Sequence, residues 1–200
     1  MRINTIRLRV IVGVLGMLLP WIVAALVGYI PPSISATWYT NACTAFMIIL
    51  GWASGLLICY KGYELIDDIL LTCTGIAGFG ICLFPCSITD VHEKVGTFLI
   101  DSQVSDILHS IFAIVFFGLL AYNSIFLFTK SAGEISPRKR ARNIIFIVCG
   151  IGMIASFALI LLPIPRKMWI TEAVALFFFG VSFLTKANIF PFLFCDNKQN

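Results

Sequence analysis

Apolar positions fill six long, nearly unbroken runs: Val10–Ile30, Ala42–Tyr60, Ile69–Ser87, Ile107–Phe128, Ile144–Pro163 and Trp169–Phe190. Each is about 20 residues, and at about 1.5 Å rise per residue a helix of that length crosses the ~30 Å hydrocarbon core of a bilayer. The period-two alternation of a membrane β-barrel strand is absent. In lipid every backbone polar group needs an internal partner, so the runs predict helices. The pattern predicts an all-α fold, a polytopic six-helix bundle. The longest polar connection, Ile88–Asp106, is too short to bury a core of its own, so residues 1–200 read as a single integral membrane domain.

Composition supports the same solvent, with 60% hydrophobic and 12% charged residues. The net charge of +4 does not indicate a nucleic-acid partner, because the basic residues lie where membrane topology needs them and form no separate domain. An even number of spans puts both ends on one side. Placing them in the cytoplasm puts Arg2, Arg7, Arg9, Lys61, Lys130, Arg138, Lys139, Arg140, Arg142, Lys186 and Lys198 inside. Only Lys94, Arg166 and Lys167 remain outside, a split of 11 to 3. Arg2, Arg7 and Arg9 resemble the start of a signal peptide, but the apolar run that follows is too long and has no small-residue cleavage site, so a retained first helix is expected. The seven cysteines are odd in number and mostly intramembrane, which reads as small apolar packing rather than a disulfide framework. The absence of an N-x-S/T sequon points to a bacterial source, and hence to the cytoplasmic (inner) membrane.

Helices in lipid associate where small residues let backbones approach. Candidate seams are Ala24-x-x-x-Gly28, Gly51-x-x-x-Gly55 with Cys59, Gly75 with Gly78 and Cys82, and Gly152-x-x-x-Ser156. Pro20 falls inside the first span as a kink candidate, while Pro85 and Pro163 sit at span ends. Trp38, Tyr39, Tyr60, Tyr63 and Trp169 fall where interfacial aromatic anchors are expected.

Ionisable groups within a span cost roughly 2.5–3.5 kcal/mol on insertion scales, so the few present attract interest. His109 and Glu172 each lie about one turn into a span, and Asn41 opens another. These three spans all start on the outer side, so their positive N-terminal ends converge there. The expected outer pocket comprises Ser35, Tyr39, Asn41, Asp106, His109 and Glu172, with Asp106 one turn before His109 to orient it. It reads as a binding site for lipid head groups, with His109 and Glu172 as candidate catalytic groups. The competing reading is a buried His109–Glu172 pair that locks two helices together.

On the inner side, Lys61, Asp67 and Asp68 are expected to face Arg138 and Arg142, with Lys186 nearby at the end of a stripe running from Glu172 through Ala175, Phe179 and Ser182. Solvated topology charges are the simpler account of this cluster, and an anionic-lipid contact by the basic loop is the sharper one. Cys82-x-x-x-Cys86 followed by Asp90 and His92 lacks the tight spacing of a zinc site. There is no phosphate-binding glycine loop, nucleophile elbow or H-E-x-x-H motif, so no metal or cofactor is expected.

Ser33-Ile34-Ser35, Tyr60-Lys61-Gly62, Phe84-Pro85, His109, and Glu172 followed by Phe178-Phe179-Gly180-Val181-Ser182-Phe183-Leu184 and Lys186 occur in an order that resembles the DRAM-type six-helix membrane proteins. That family is related to lipid-remodelling proteins of GPI anchors and to uncharacterised bacterial integral membrane proteins. The resemblance covers nearly the whole chain and implies a polytopic protein concerned with lipids, without a settled activity. A zinc hydrolase of the ceramidase type would need several histidines, and this chain has two. The functional expectation is a lipid-interacting or regulatory membrane protein acting through the outer pocket. The alternatives are a lipid-modifying enzyme using His109 and Glu172, or a small transporter or channel subunit. A pore framed by six spans would require a homo-oligomer.

Overall fold

The computed structural model describes residues 5–62, 64–88, 94–131 and 136–189. Six α-helices dominate: α1 Thr5–Val27, α2 Cys43–Ile58, α3 Leu65–Leu83, α4 Ser102–Tyr122, α5 Pro137–Ser156 and α6 Lys167–Lys186. Each falls on one of the apolar runs. Five are long and apolar enough to cross a membrane, counting the turns that extend α4 to Leu127 and α5 to Leu161. The exception is α2, whose 16 residues reach about 24 Å along the axis.

Most helices begin several residues before the apolar run, because the residues that cap a helix are polar. Ser136 accepts the Lys139 amide at 3.2 Å ahead of α5, and Pro137 occupies its first turn. Asp101 accepts the Gln103 amide at 2.9 Å ahead of α4. Glu64 and Asp67 form a reciprocal capping box at the start of α3. Two small elements depart from the expected all-helical pattern. A 3-10 turn, Ser35–Tyr39, follows α1. A two-residue antiparallel pair, β1 Lys94–Val95 and β2 Ile100–Asp101, precedes α4.

The helices form a closed ring in which each packs on its sequence neighbours and α6 returns against α1. Small residues make the seams, though not always the expected ones. On the α2–α3 seam a Cβ at Gly75 would lie 2.5 Å from the Ser54 carbonyl. At the α1–α6 seam, Gly16 lies under the Phe179 ring and Gly180 lies against Gly13 and Met17. Gly28 is not part of a seam: with φ of +84° and open space around it, it ends α1 in a left-handed conformation. Gly51 and Gly55 contact Phe79, whereas Cys59 is exposed. The chain continues as helix through Pro20.

The distribution of polarity is the reverse of a water-soluble bundle. Trp52, Ile114, Ile154 and Leu161 are among many large apolar side chains that face outward. Ser54, Thr74, Asn123, Ser124 and Ser182 are buried. They bond inward, for example Ser124 to Ser182 at 2.7 Å and Asn123 to Thr74 at 3.2 Å. Water would favour the opposite arrangement, and lipid favours this one. Two expected interfacial anchors also turn inward. Trp169 packs edge-on against Trp21, and Tyr60 receives Arg9. Tyr63 lies outside the described residues, as do Asp90 and His92.

Candidate functional site

At the end of the ring where α2, α4 and α6 begin, the expected pocket residues divide between two structural elements. The first is the exit from α3, where Pro85 stops the helix and the last carbonyls need partners from elsewhere. Residues 84–87 are held one by one. His109 Nδ1 donates to the Phe84 carbonyl at 2.7 Å, and Ser105 Oγ to the Pro85 carbonyl at 2.8 Å. The Tyr39 hydroxyl donates to the Cys86 carbonyl at 2.9 Å, and Asp106 Oδ1 accepts the Ser87 amide at 2.7 Å. Because a carbonyl can only accept, His109 carries its proton on Nδ1. Asp106 therefore fastens the chain at Ser87 instead of orienting the imidazole. Burial, then the neighbouring Cys86 and Asp106, push the Tyr39 phenol up to about 12, which keeps it a donor at neutral pH. Burial likewise pushes the Cys86 thiol up to about 12.

Glu172 serves the second element. Its carboxyl accepts the Ile34 amide at 2.5 Å and the Ser35 hydroxyl at 3.2 Å, which fastens the 3-10 turn to α6. Nearby, Asn41 Nδ2 donates to the Leu26 carbonyl at 2.9 Å and closes the end of α1. Glu172 also borders an apolar cavity of about 40 Å³, scarcely more than one water molecule could occupy. Among the described residues no hydrogen bond or ion pair joins His109 to Glu172. Every member of the predicted outer set is thus located at one end, where Tyr39, Asp106 and Glu172 all lie near the Cys86 thiol while their hydrogen bonds go to separate segments.

The opposite end holds a cavity of about 750 Å³. Among the described residues its walls carry five basic side chains, Arg9, Lys130, Lys139, Arg142 and Lys186, and one carboxylate, Glu64. Helix polarity explains the gathering. The C-terminal ends of α4 and α6 meet here beside the first turns of α1 and α5, and exposed carbonyls attract cations. At the end of α4 the helix widens into one π turn, Asn123–Leu127, closed by the Phe128 amide on the Asn123 carbonyl at 2.9 Å. The Phe128 carbonyl then accepts from both Lys139 Nζ, at 3.0 Å, and Lys186 Nζ, at 3.1 Å. The two Nζ atoms thus lie at most about 6 Å apart, close enough for each to disfavour charge on the other. Arg9 donates to the Lys186 carbonyl at 3.1 Å and to the Tyr60 hydroxyl at 2.8 Å. Arg142 reaches Asn188 Oδ1 at 2.9 Å.

Lys130 bridges Asp67 at 2.6 Å and Glu64 at 2.8 Å. The bond to Asp67, then that to Glu64, raises it above the ordinary lysine range. Asp68 pairs with Lys61 at 3.5 Å and accepts the Gly62 amide at 2.6 Å. The acids of the expected inner cluster turn to Lys130 and Lys61 and not to Arg138 and Arg142, while Arg142 and Lys186 line the cavity. Arg138 sits half-buried in the first turn of α5. Lys139 belongs to the basic loop expected to contact anionic lipid, together with Arg138, Arg140 and Arg142, whereas Arg9 was not expected in a site. Arg9 lies near the start of α1, which an antiparallel ring sets beside the C-terminal ends of its neighbours, and that was the available signal. Among the described residues no cluster of His, Cys, Asp and Glu is arranged to hold a metal ion. No protein-family model matches the chain, and neither a curated protein nor a solved structure matches it.

Proposed function

We propose that this chain is a non-enzymatic, lipid-interacting protein of the cytoplasmic membrane. It crosses six times, keeps both ends inside, and engages anionic lipid head groups of the inner leaflet. The observation that carries this reading is the basic cavity. Among the described residues, five basic side chains and one carboxylate line a space of about 750 Å³ at the end of an apolar ring, the arrangement by which basic pockets between helices take up anionic lipids. The outer residues support an enzyme less well, because His109 and Glu172 are engaged with separate backbone segments. A concern with lipids also accords with the DRAM-type layout of the motifs.

Thermal unfolding of the full chain in nanodiscs tests the reading. Phosphatidylglycerol bilayers are expected to stabilise it relative to phosphatidylcholine, by about 2.7 kcal/mol where the bound lipid is at about a hundredfold excess over Kd. Arg142→Gln should shrink the difference. Identical unfolding in the two bilayers would remove the basis for an anionic-lipid site.

A further inference from the structure

We infer that the basic cavity is a receptor for a phosphomonoester group, in preference to the phosphodiester that most membrane lipids carry. The inference rests on the anionic-lipid reading and specifies its ligand chemistry. A phosphodiester presents two unbridged oxygens and one negative charge. A phosphomonoester presents three oxygens and approaches two charges near neutral pH, with a second ionisation near about 6.

The cavity is built for the second. Lys139 and Lys186 converge on one carbonyl oxygen, so two ammoniums stand close enough to reach separate oxygens of a single tetrahedral phosphate. The Lys139 ammonium donates to one acceptor, the Phe128 carbonyl, which leaves two of its three protons for a ligand. Arg9 is fixed on the α6 side by the Lys186 carbonyl and Tyr60, and Arg142 by Asn188. Guanidinium groups offer paired donors that match phosphate oxygens. Glu64, the one carboxylate in the wall among the described residues, is bridged by Lys130. Neither Arg9 nor Lys139 meets a carboxylate among the described residues. Arg9 and the two remaining protons of Lys139 are better matched by a doubly charged monoester with three acceptors than by a singly charged diester with two.

The test uses two lipids with the same acyl chains, phosphatidic acid and phosphatidylmethanol, which differ by one methyl group and therefore by monoester against diester. The full chain, in mixed micelles with equal amounts of both, is examined by native mass spectrometry for the lipid it retains. About tenfold more phosphatidic acid is expected, the ratio that one additional charge-assisted hydrogen bond supports. Lys139→Gln and Arg142→Gln should each reduce the ratio several-fold, while Arg140→Gln, which changes an exposed charge on the same helix, should not. Equal retention of the two by the native chain overturns the inference and leaves the anionic-lipid reading standing. Retention no greater than that of phosphatidylcholine overturns both. Glycerol 3-phosphate at millimolar concentration supplies the remaining arm. Displacement of phosphatidic acid by it keeps the monoester chemistry and assigns the ligand to a free metabolite. The native-chain comparison needs no variant, so a substitution that fails to fold does not blunt the test.

Discussion

Replacing Glu172 by alanine leaves the Ile34 amide and the Ser35 hydroxyl without their shared acceptor. Replacing His109 leaves the Phe84 carbonyl without its donor. Each change is expected to destabilise the bundle by roughly 1–2 kcal/mol, the scale of a lost polar contact in such a setting. The two residues touch different segments, so their effects should add, with a coupling below about 0.5 kcal/mol in a double-mutant cycle of unfolding free energies. A coupling well above that would mean the imidazole and carboxyl are partners after all. That these residues are unusual was legible from the sequence, since an ionisable group inside an apolar run needs a reason. Which reason was not legible, because apart from the Ser35 hydroxyl the partners are main-chain atoms. A carbonyl at Phe84 or an amide at Ile34 leaves no trace in residue type.

Among the elements, the α1–α6 seam is the one most exposed to a single methyl group. A Cβ at Gly180 would lie 2.7 Å from the Gly13 carbonyl and press into Met17. Gly180→Ala is expected to destabilise by about 1–3 kcal/mol through overpacking. Gly118, by contrast, faces open space on α4. Gly118→Ala should be neutral or stabilising by up to about 1 kcal/mol, from helix propensity alone. Melting both variants in the same detergent checks the pair, and a reversal of order would mean that the seam lies elsewhere. All six helices were legible as apolar runs, yet the seams were only partly so. Gly28 has the right spacing from Ala24 but falls beyond the helix end, and Gly13, Gly16 and Gly180 do the work instead. Small-residue spacing names a face without naming its neighbour. The π turn before Phe128 had no sequence signal at all, although it presents the carbonyl on which two lysines meet.

For the whole molecule, the decisive quantity is how many times the ring crosses the bilayer. Five helices are long enough by themselves, and α2 falls short of the ~30 Å hydrocarbon core by several ångströms. A short span can be met by local thinning of the bilayer at a modest cost. Reporter fusions are expected to place residue 62 and residue 189 in the cytoplasm and residue 165 outside. Residue 62 reporting from outside would mean that α2 does not cross and that the proposed topology fails.

The apolar runs and the uneven Lys/Arg distribution were enough by themselves to indicate a lipid solvent, a helical architecture and one basic end. Hydropathy and charge accumulate residue by residue along the chain, so they survive without knowledge of the fold. Only the tertiary structure decided that the outer polar groups fasten loops and that the inner cations surround a cavity. Both outcomes depend on the rotation of each helix about its axis and on where irregular backbone exposes its amides and carbonyls. Neither quantity is written in the identity of the residues.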